Sequence, residues 1–262
     1  MEKFTTNKQA ELNKSPDMII GLRPLQEAIE AGKEIDKVLL RKGLQGELYH
    51  QVMRLIRDHG IPFQQVPGEK LDRLTRANHQ GVIAFLSSIV YGNLEHIISS
   101  VFAKGDSPKL IMCDEVTDVR NFGAVCRSAE SFGFHAVIIP EKGSAQINED
   151  AIKSSAGAIF NISICREKNI MNTARMIRES GIHLVAATEK ASKDVAEGIY
   201  THPICFIVGS EERGIRPDLL KVSDELVRIP LSGKTSSLNV SVAAAIVMYE
   251  AERQRKAAVH LK

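Results

Sequence analysis

Tryptophan is absent, aromatic residues make up only 5% of the chain, and no window approaches eighteen uninterrupted apolar residues. The first two absences argue against a broad aromatic platform for stacking bases, and the third excludes a membrane-spanning helix. Cysteine is scarce and scattered. Cys113, Cys126, Cys165 and Cys205 never form a CxxC pair, so neither a zinc site nor a disulfide framework is indicated and no metal is expected. Three of them sit in apolar runs and read as packing residues. A dominant charge is also missing. The net charge is +2, residues 1–88 carry 13 Lys+Arg against 11 Asp+Glu, and the remainder carries 21 against 21. Any affinity for nucleic acid must therefore come from local patches. Residues 1–17 lack the apolar stretch of a secretion signal, so a disordered tail and a cytoplasmic location are expected.

What remains is 262 residues, 44% hydrophobic and 25% charged, a balance that suits a soluble protein of two domains. In residues 18–88, Gly21-Leu-Arg-Pro24 opens a helix closed by Gly32, and a second helix is expected over 46–59. Strands are expected at 37–41, 61–66 and 81–86. Residues 89–107, with Gly92, Asn93, Gly105 and Pro108 around a weak helical stretch, read as a linker. From 108 to 262 five apolar runs, 110–113, 136–139, 162–165, 183–187 and 204–208, alternate with helical segments. That alternation specifies a mostly parallel sheet covered on both faces.

Ligands of such sheets bind at the C-terminal ends of the strands, and three loops there have unusual composition. The first carries Asn121, placed to cap the following helix, and Arg127 six residues later. The second, Val208-Gly-Ser-Glu211-Glu-Arg-Gly214, offers a glycine at a strand end and a carboxylate able to accept from a ribose or an amine, although Gly-Ser-Glu is also a common turn. The third runs Ile229-Pro-Leu-Ser-Gly233-Lys-Thr-Ser-Ser237-Leu238-Asn239 into a strongly apolar helix. Gly233-Lys234-Thr235 imitates the end of a phosphate-binding P-loop, but that motif needs glycine where Arg228 stands. No GxGxxG occurs. Three polar residues in four positions, Ser236, Ser237 and Asn239, exceed what capping requires.

In this order, Asn121-x-Gly123-x-x-x-Arg127, Gly209-x-Glu211-x-x-Gly214 and Ile229-Pro-x-x-Gly233-x-x-x-Ser237-Leu238-Asn239 resemble the three signature motifs of the SpoU (TrmH-like) family of RNA ribose methyltransferases, in the SPOUT superfamily. Residues 18–88 look like that family's substrate-binding domain, of the ribosomal-protein L30e type. The resemblance implies an α/β fold whose C-terminal domain holds a deep trefoil knot, the chain after Ile229 threading through a loop, a feature rare in proteins generally. It implies S-adenosyl-L-methionine held around Gly209, Ile229 and Leu238 beside Thr188, and a homodimer formed through the knotted domain. It also implies RNA as substrate, with a guanosine ribose of 23S ribosomal RNA the expected target and transfer RNA an alternative. Arg127 takes the central catalytic position, with Asn121, Glu211, Ser237 and Asn239 around it. A guanidinium is a poor base, so alkoxide and phosphate stabilisation is its expected role. One departure stands out: Glu212 occupies a position where many relatives have glycine. Arg23, Lys37, Arg41, Lys42 and Arg73 are candidate phosphate contacts. The rival readings are a catalytically silent RNA-binding assembly factor of the same fold and a P-loop nucleotidase.

Overall fold

The computed structural model describes residues 18–259; the tail expected at 1–17 lies outside them. The described chain divides after Ser88 into two compact units.

The N-terminal unit runs β1 (Met18–Ile20), α1 (Leu22–Glu30), β2 (Ile35–Arg41), α2 (Glu47–Asp58), β3 (Phe63–Val66), α3 (Gly68–Asp72) and β4 (Val82–Leu86). Its sheet has the order β1-β4-β2-β3. β2 and β3 are parallel, and β4 is antiparallel to both β1 and β2. Successive strand residues face opposite sides. Val38 and Leu40 accordingly join Leu25, Ile29, Val52 and Ile56 of α1 and α2 in one core. Leu39 and Ile83 instead meet Val66 and Leu71 on the other side. The strands at β1 and the short helix α3 exceed the expected elements.

The second unit contains α4 (Leu94–Ala103), β5 (Lys109–Asp114), α5 (Val119–Ser131), β6 (Ala136–Pro140), α6 (Glu149–Ser154), β7 (Ser163–Glu167) and α7 (Ile170–Glu179). It continues through β8 (His183–Ala187), β9 (Lys193–Asp194), β10 (Ile204–Gly209), α8 (Pro217–Val222), β11 (Glu225–Arg228) and α9 (Val240–Val259). Its sheet is parallel throughout, in the order β7-β6-β5-β10-β8-β11-β9. Seven strands thus stand where five were expected. The segment 89–107 is also more than a linker: Asn93 caps α4, and Leu94 and Ile98 are buried in the core of this unit.

Both sheet faces are covered. Ile111 and Cys113 of β5 and Phe206 and Val208 of β10 pack with Phe122 and Val125 of α5 and Val247 and Met248 of α9. Their alternates Leu110, Met112, Cys205 and Ile207 pack with α4, α7 and α8. All four cysteines are free and buried. Burial pushes the Cys113 thiol up to about 12, and the adjacent Asp114 charge adds to it. From β5 the strand order proceeds one way through β6 and β7, whereas β10 returns to β5's other side. The C-terminal ends of β5 and β10 therefore flank a topological switch point, where a crevice opens in doubly wound sheets. No helix among the described residues is long and apolar enough to cross a membrane.

Candidate active site

Three of the polar residues singled out by spacing meet at this switch point. Asn121 Nδ2 donates to Glu211 Oε1 at 3.0 Å. Asn239 Nδ2 donates to Asn121 Oδ1 at 2.9 Å and to Glu211 Oε1 at 2.5 Å. The Oδ1 of Asn239 is occupied in turn, accepting from the backbone N–H and the hydroxyl of Ser241 at 2.9 and 2.6 Å. Asn239 is thus the N-cap of α9, its carbonyl accepting from Ala243 N–H, and the cap fixes the amide that joins the other two loops.

Asn121 is not a cap, contrary to the expectation from spacing. Asp118 takes that role, accepting from the N–H groups of Arg120 and Asn121 at 2.9 and 2.8 Å. With Asp118 closing the first turn of α5, the Asn121 side chain is released to cross to Glu211.

Two of the motif glycines, Gly209 and Gly123, serve packing. A Cβ on Gly209 would lie 2.1 Å from the Gly214 carbonyl carbon and 2.3 Å from Ile215 N. The loop after β10 folds back on itself there, Gly214 N–H donating to Ser210 O at 2.9 Å, with Gly214 at φ +68°. The missing Cβ of Gly209 thus admits the next turn of its own loop, and the residue also lines a cleft. A Cβ on Gly123 would meet Ser154 Oγ and the Ala151 carbonyl, so this glycine brings α5 against α6. Gly233 has nothing near it.

Two clefts open on either side of the Glu211 loop. One, of about 410 Å³, is lined by Thr188, Gly209, Glu211, Ile229, Ser237 and Leu238 among others. All four residues expected to hold the cofactor are in that wall. The other, of about 470 Å³, is lined by Glu115, Thr117, Asp118, Asn121, Glu212 and Arg213 among others. Residues 210–213 and Val240 belong to both. Both volumes fall within the range of about 300–1,000 Å³ usual for ligand pockets.

Ser237 lines the first cleft, whereas Arg127 lines neither. It is exposed on α5 and, among the described residues, makes no hydrogen bond or ion pair. Six residues of α-helix displace it by about 9 Å from Asn121 and turn it to another side of the helix.

A further pair went unsingled in the sequence. Asp114, at the end of β5 and 1% exposed, accepts from Arg216 N at 2.8 Å and from its Nε at 2.7 Å. The hydrogen bond that the Arg216 guanidinium donates to Asp114 raises it above its ordinary value against the opposing effect of burial. Glu115 follows with φ +55°, its carboxylate 3.6 Å from Arg216 and 3.9 Å from Arg213. This pairing ties the loop after β5 to the loop after β10, and so sets the distance that Asn121 must span. An aspartate ending a parallel strand was the available signal; its partner lies 102 positions away. Among the described residues no group of three or more His, Cys, Asp or Glu side chains is placed to hold a metal.

Residues 108–249 match the SpoU rRNA methylase family, and residues 18–91 match the RNA 2′-O ribose methyltransferase substrate-binding family. The 23S rRNA (guanosine-2′-O-)-methyltransferase RlmB of Vibrio parahaemolyticus is 34% identical over 93% of this chain and 99% of its own length. YacO of Bacillus subtilis, named for the TrmH family of tRNA/rRNA methyltransferases, is 30% identical over 93% and 98%. Among solved structures, the SpoU methyltransferase AviRb of Streptomyces viridochromogenes in complex with AdoMet aligns with TM-score 0.58 and 25% identity, covering 92% of this chain and 90% of its own.

Proposed function

The chain belongs to the SpoU family of S-adenosylmethionine-dependent RNA 2′-O-ribose methyltransferases, and from that premise we propose that it methylates the ribose of a guanosine in 23S ribosomal RNA in the cytoplasm. The observation that carries this reading is the Asn121–Glu211–Asn239 network, which ties all three motif loops together on the wall between two clefts. The guanosine is supported by the RlmB relatives, and the ribosomal substrate by those relatives and by the rRNA methylase family that residues 108–249 match.

The 410 Å³ cleft fits the cofactor in size and chemistry. Ile229, Leu231 and Leu238 offer apolar surface to an adenine, and the backbone of 209–210 and Thr188 offer polar groups. When bound there, S-adenosylmethionine supplies a methyl group on a cationic sulfur. The ribose then enters from the second cleft. The free oxygen of Glu211 and the remaining N–H of Asn121 face a hydroxyl that both donates and accepts, so together they orient the 2′-oxygen. Such positioning contributes up to about 7–11 kcal/mol in ideal cases. The bound cofactor would supply the methyl carbon, its carbon–sulfur bond breaking as the 2′-oxygen attaches and leaving a neutral thioether behind; the hydroxyl proton would pass to the neighbouring phosphate of the substrate, and Ser237 would hold the nucleotide side of the motif-three loop.

Arg127 stabilises the developing negative oxygen and the substrate phosphate. Within one chain it stands away from the network, and a homodimer supplies the missing proximity. Val242 and Tyr249 of α9, 47% and 55% exposed, lie seven residues apart on one helix face, and Tyr249 packs edge-on against Phe132 at the end of α5. Apolar exposure beside the Arg127 helix suits a second copy of the chain. A trefoil knot at residues 229–239 belongs to the same proposal.

Mapping 2′-O-methyl groups on ribosomal RNA from cells with and without the gene tests the reading, because methylated riboses resist alkaline cleavage. One guanosine in 23S RNA is expected to lose its protection. A lost site in transfer RNA instead would reassign the substrate, and no lost site in either RNA would favour a silent RNA-binding factor.

A further inference from the structure

The carboxylate of Glu212 takes no part in the Asn121–Glu211–Asn239 network. It is exposed, and among the described residues it makes no hydrogen bond or ion pair. Its place is nevertheless fixed by the backbone. Gly214 N–H donates to Ser210 O at 2.9 Å and Arg213 N–H to Ser210 Oγ at 3.2 Å, closing a turn with Glu211 and Glu212 at its tip. The φ of Glu212 is not positive, since among the described non-glycine residues only Gln80, Glu115 and Ala156 have positive φ. Nothing in the backbone therefore demands the glycine that many relatives carry, and the side chain stands there without strain.

Ser210, Glu211, Glu212, Arg213 and Val240 line both clefts. Methyl transfer joins an atom held in one cleft to an atom held in the other, and productive geometry brings reacting atoms within about 3–3.5 Å. The point of transfer therefore lies at this shared wall, and so does the charge on the sulfur. Two carboxylates stand on the wall, Glu211 and Glu212, against the single guanidinium of Arg213, which is 3.9 Å from Glu115. Glu211 commits its Oε1 to two side-chain amides, whereas both oxygens of Glu212 remain for a cation. The other charges of the first cleft, Glu189 and Lys190, are sequence neighbours of opposite sign and belong to that cleft alone.

We propose that Glu212 makes the cofactor cleft discriminate by charge, holding the sulfonium substrate and releasing the neutral thioether product. In the reaction the bond between sulfur and the methyl carbon breaks with its electron pair staying on sulfur, the 2′-oxygen takes the methyl group, and the hydroxyl proton goes to the substrate phosphate. The sulfur thereby loses its positive charge, and Glu212 loses the cation it attracts. The adenosine and amino-acid parts are the same before and after, so contacts to them cannot tell product from substrate. The inference rests on the methyltransferase reading above and adds the residue that separates the two forms of the cofactor.

The test is isothermal titration calorimetry on the full-length protein without RNA. Its probes are S-adenosylmethionine, S-adenosylhomocysteine and sinefungin, an analogue in which a carbon bearing a protonated amine replaces the methylated sulfur. Glu212→Gln is expected to weaken S-adenosylmethionine and sinefungin about three- to tenfold, the attraction of one exposed carboxylate for one charge at close range. S-adenosylhomocysteine should stay within about twofold of wild type, which also reports an intact cleft. Glu212→Asp keeps the charge and should stay closer to wild type than to Glu212→Gln. Glu189→Gln removes a carboxylate outside the shared wall and should shift all three ligands by one factor. The selective loss should shrink as KCl rises from about 50 to about 500 mM, because the carboxylate is exposed to screening. Equal losses for all three ligands in Glu212→Gln, no loss for any, or the same selective loss in Glu189→Gln would overturn the assignment to Glu212 while leaving the cofactor cleft in place. Failure of the wild type to bind any of the three would remove the methyltransferase reading, and this inference with it.

Discussion

Gly209→Ala isolates what the motif-two glycine contributes. The added methyl would sit 2.1, 2.3 and 2.4 Å from Gly214 C, Ile215 N and Gly214 O, all backbone atoms of the same loop. A normal contact is at least about 3.5 Å, so the loop must move by more than 1 Å or the strand end must yield. Neither is easy: β10 is hydrogen-bonded to β5 on one side and β8 on the other, and Ile215 is buried beneath the loop. Overpacking costs about 1–3 kcal/mol, and a backbone clash belongs at the upper end. In a unit of this size about 3 kcal/mol lowers the melting temperature by roughly 6–12 °C. Displacement of the loop would also carry Glu211 off Asn121 and Asn239 and deform the 410 Å³ cleft, so calorimetric affinity for S-adenosylmethionine should fall at least tenfold. Gly233→Ala is the matched control. It belongs to motif three, has nothing within 4 Å and has no positive φ, so its melting temperature should stay within about 1 °C of wild type. If Gly209→Ala melts and binds cofactor like wild type, the packing account of this loop is wrong.

Other perturbations separate folding from chemistry. Asn239→Asp keeps an oxygen that can cap α9 but sets a carboxylate against Glu211; melting should change by only a few degrees while methyl transfer falls more than a hundredfold, and parallel losses would undo the assignment. Arg127→Ala should abolish methyl transfer with cofactor affinity within a few fold, and a near wild-type rate would remove Arg127 from catalysis. Asp114→Asn weakens a buried pairing that spans two loops and should cost about 3 kcal/mol, read as lost thermal stability together with weakened cofactor binding. Acid should destabilise the second unit before any carboxylate titrates. Burial, then the Lys109 charge, depress the His135 imidazole, and burial, then His183, depress His202. The unfolded chain therefore binds more protons than the folded one as pH falls below about 6.5, so stability is full above that value and is lost on the way down. Melting temperature at pH 7.5 should exceed that at pH 5.5, and His135→Gln should reduce the difference.

The parts of the fold that are legible in sequence are those whose burial is written into consecutive residues. In β10, Cys205 and Ile207 enter one core and Phe206 and Val208 the other, so the strand reads as an unbroken apolar run. β11 buries only Val227 of its four residues, and the edge strand β9 has two half-buried residues; short, half-covered strands of this kind leave no such run. The helix in 89–107 is disguised by its own punctuation, because Asn93 and Gly105 look like linker residues until Leu94, Ile98 and Val101 are seen buried at helical spacing. At the site, motif spacing finds Asn121, Glu211 and Asn239 but not who caps and who crosses. Asp118 three residues before Asn121 was the local clue, since a side chain three positions ahead of an amide can take the cap and free the amide. The Asp114–Arg216 pair has no local clue, because its partners are brought together only by the parallel pairing of β5 with β10.

Arg127 is the instructive case, since spacing selects it as firmly as Asn121 and yet it lies apart from the network. Helical geometry alone forbids residues six apart from sharing a face. A motif that pairs them must therefore serve two surfaces, one facing the clefts of its own chain and one facing outward. Mixing Arg127→Ala subunits with Asn239→Asp subunits tests that division. If the outward face completes a partner's site, mixed dimers should recover up to half the wild-type activity per site in those dimers, whereas each variant alone stays inactive. If each chain works unaided, mixing restores nothing.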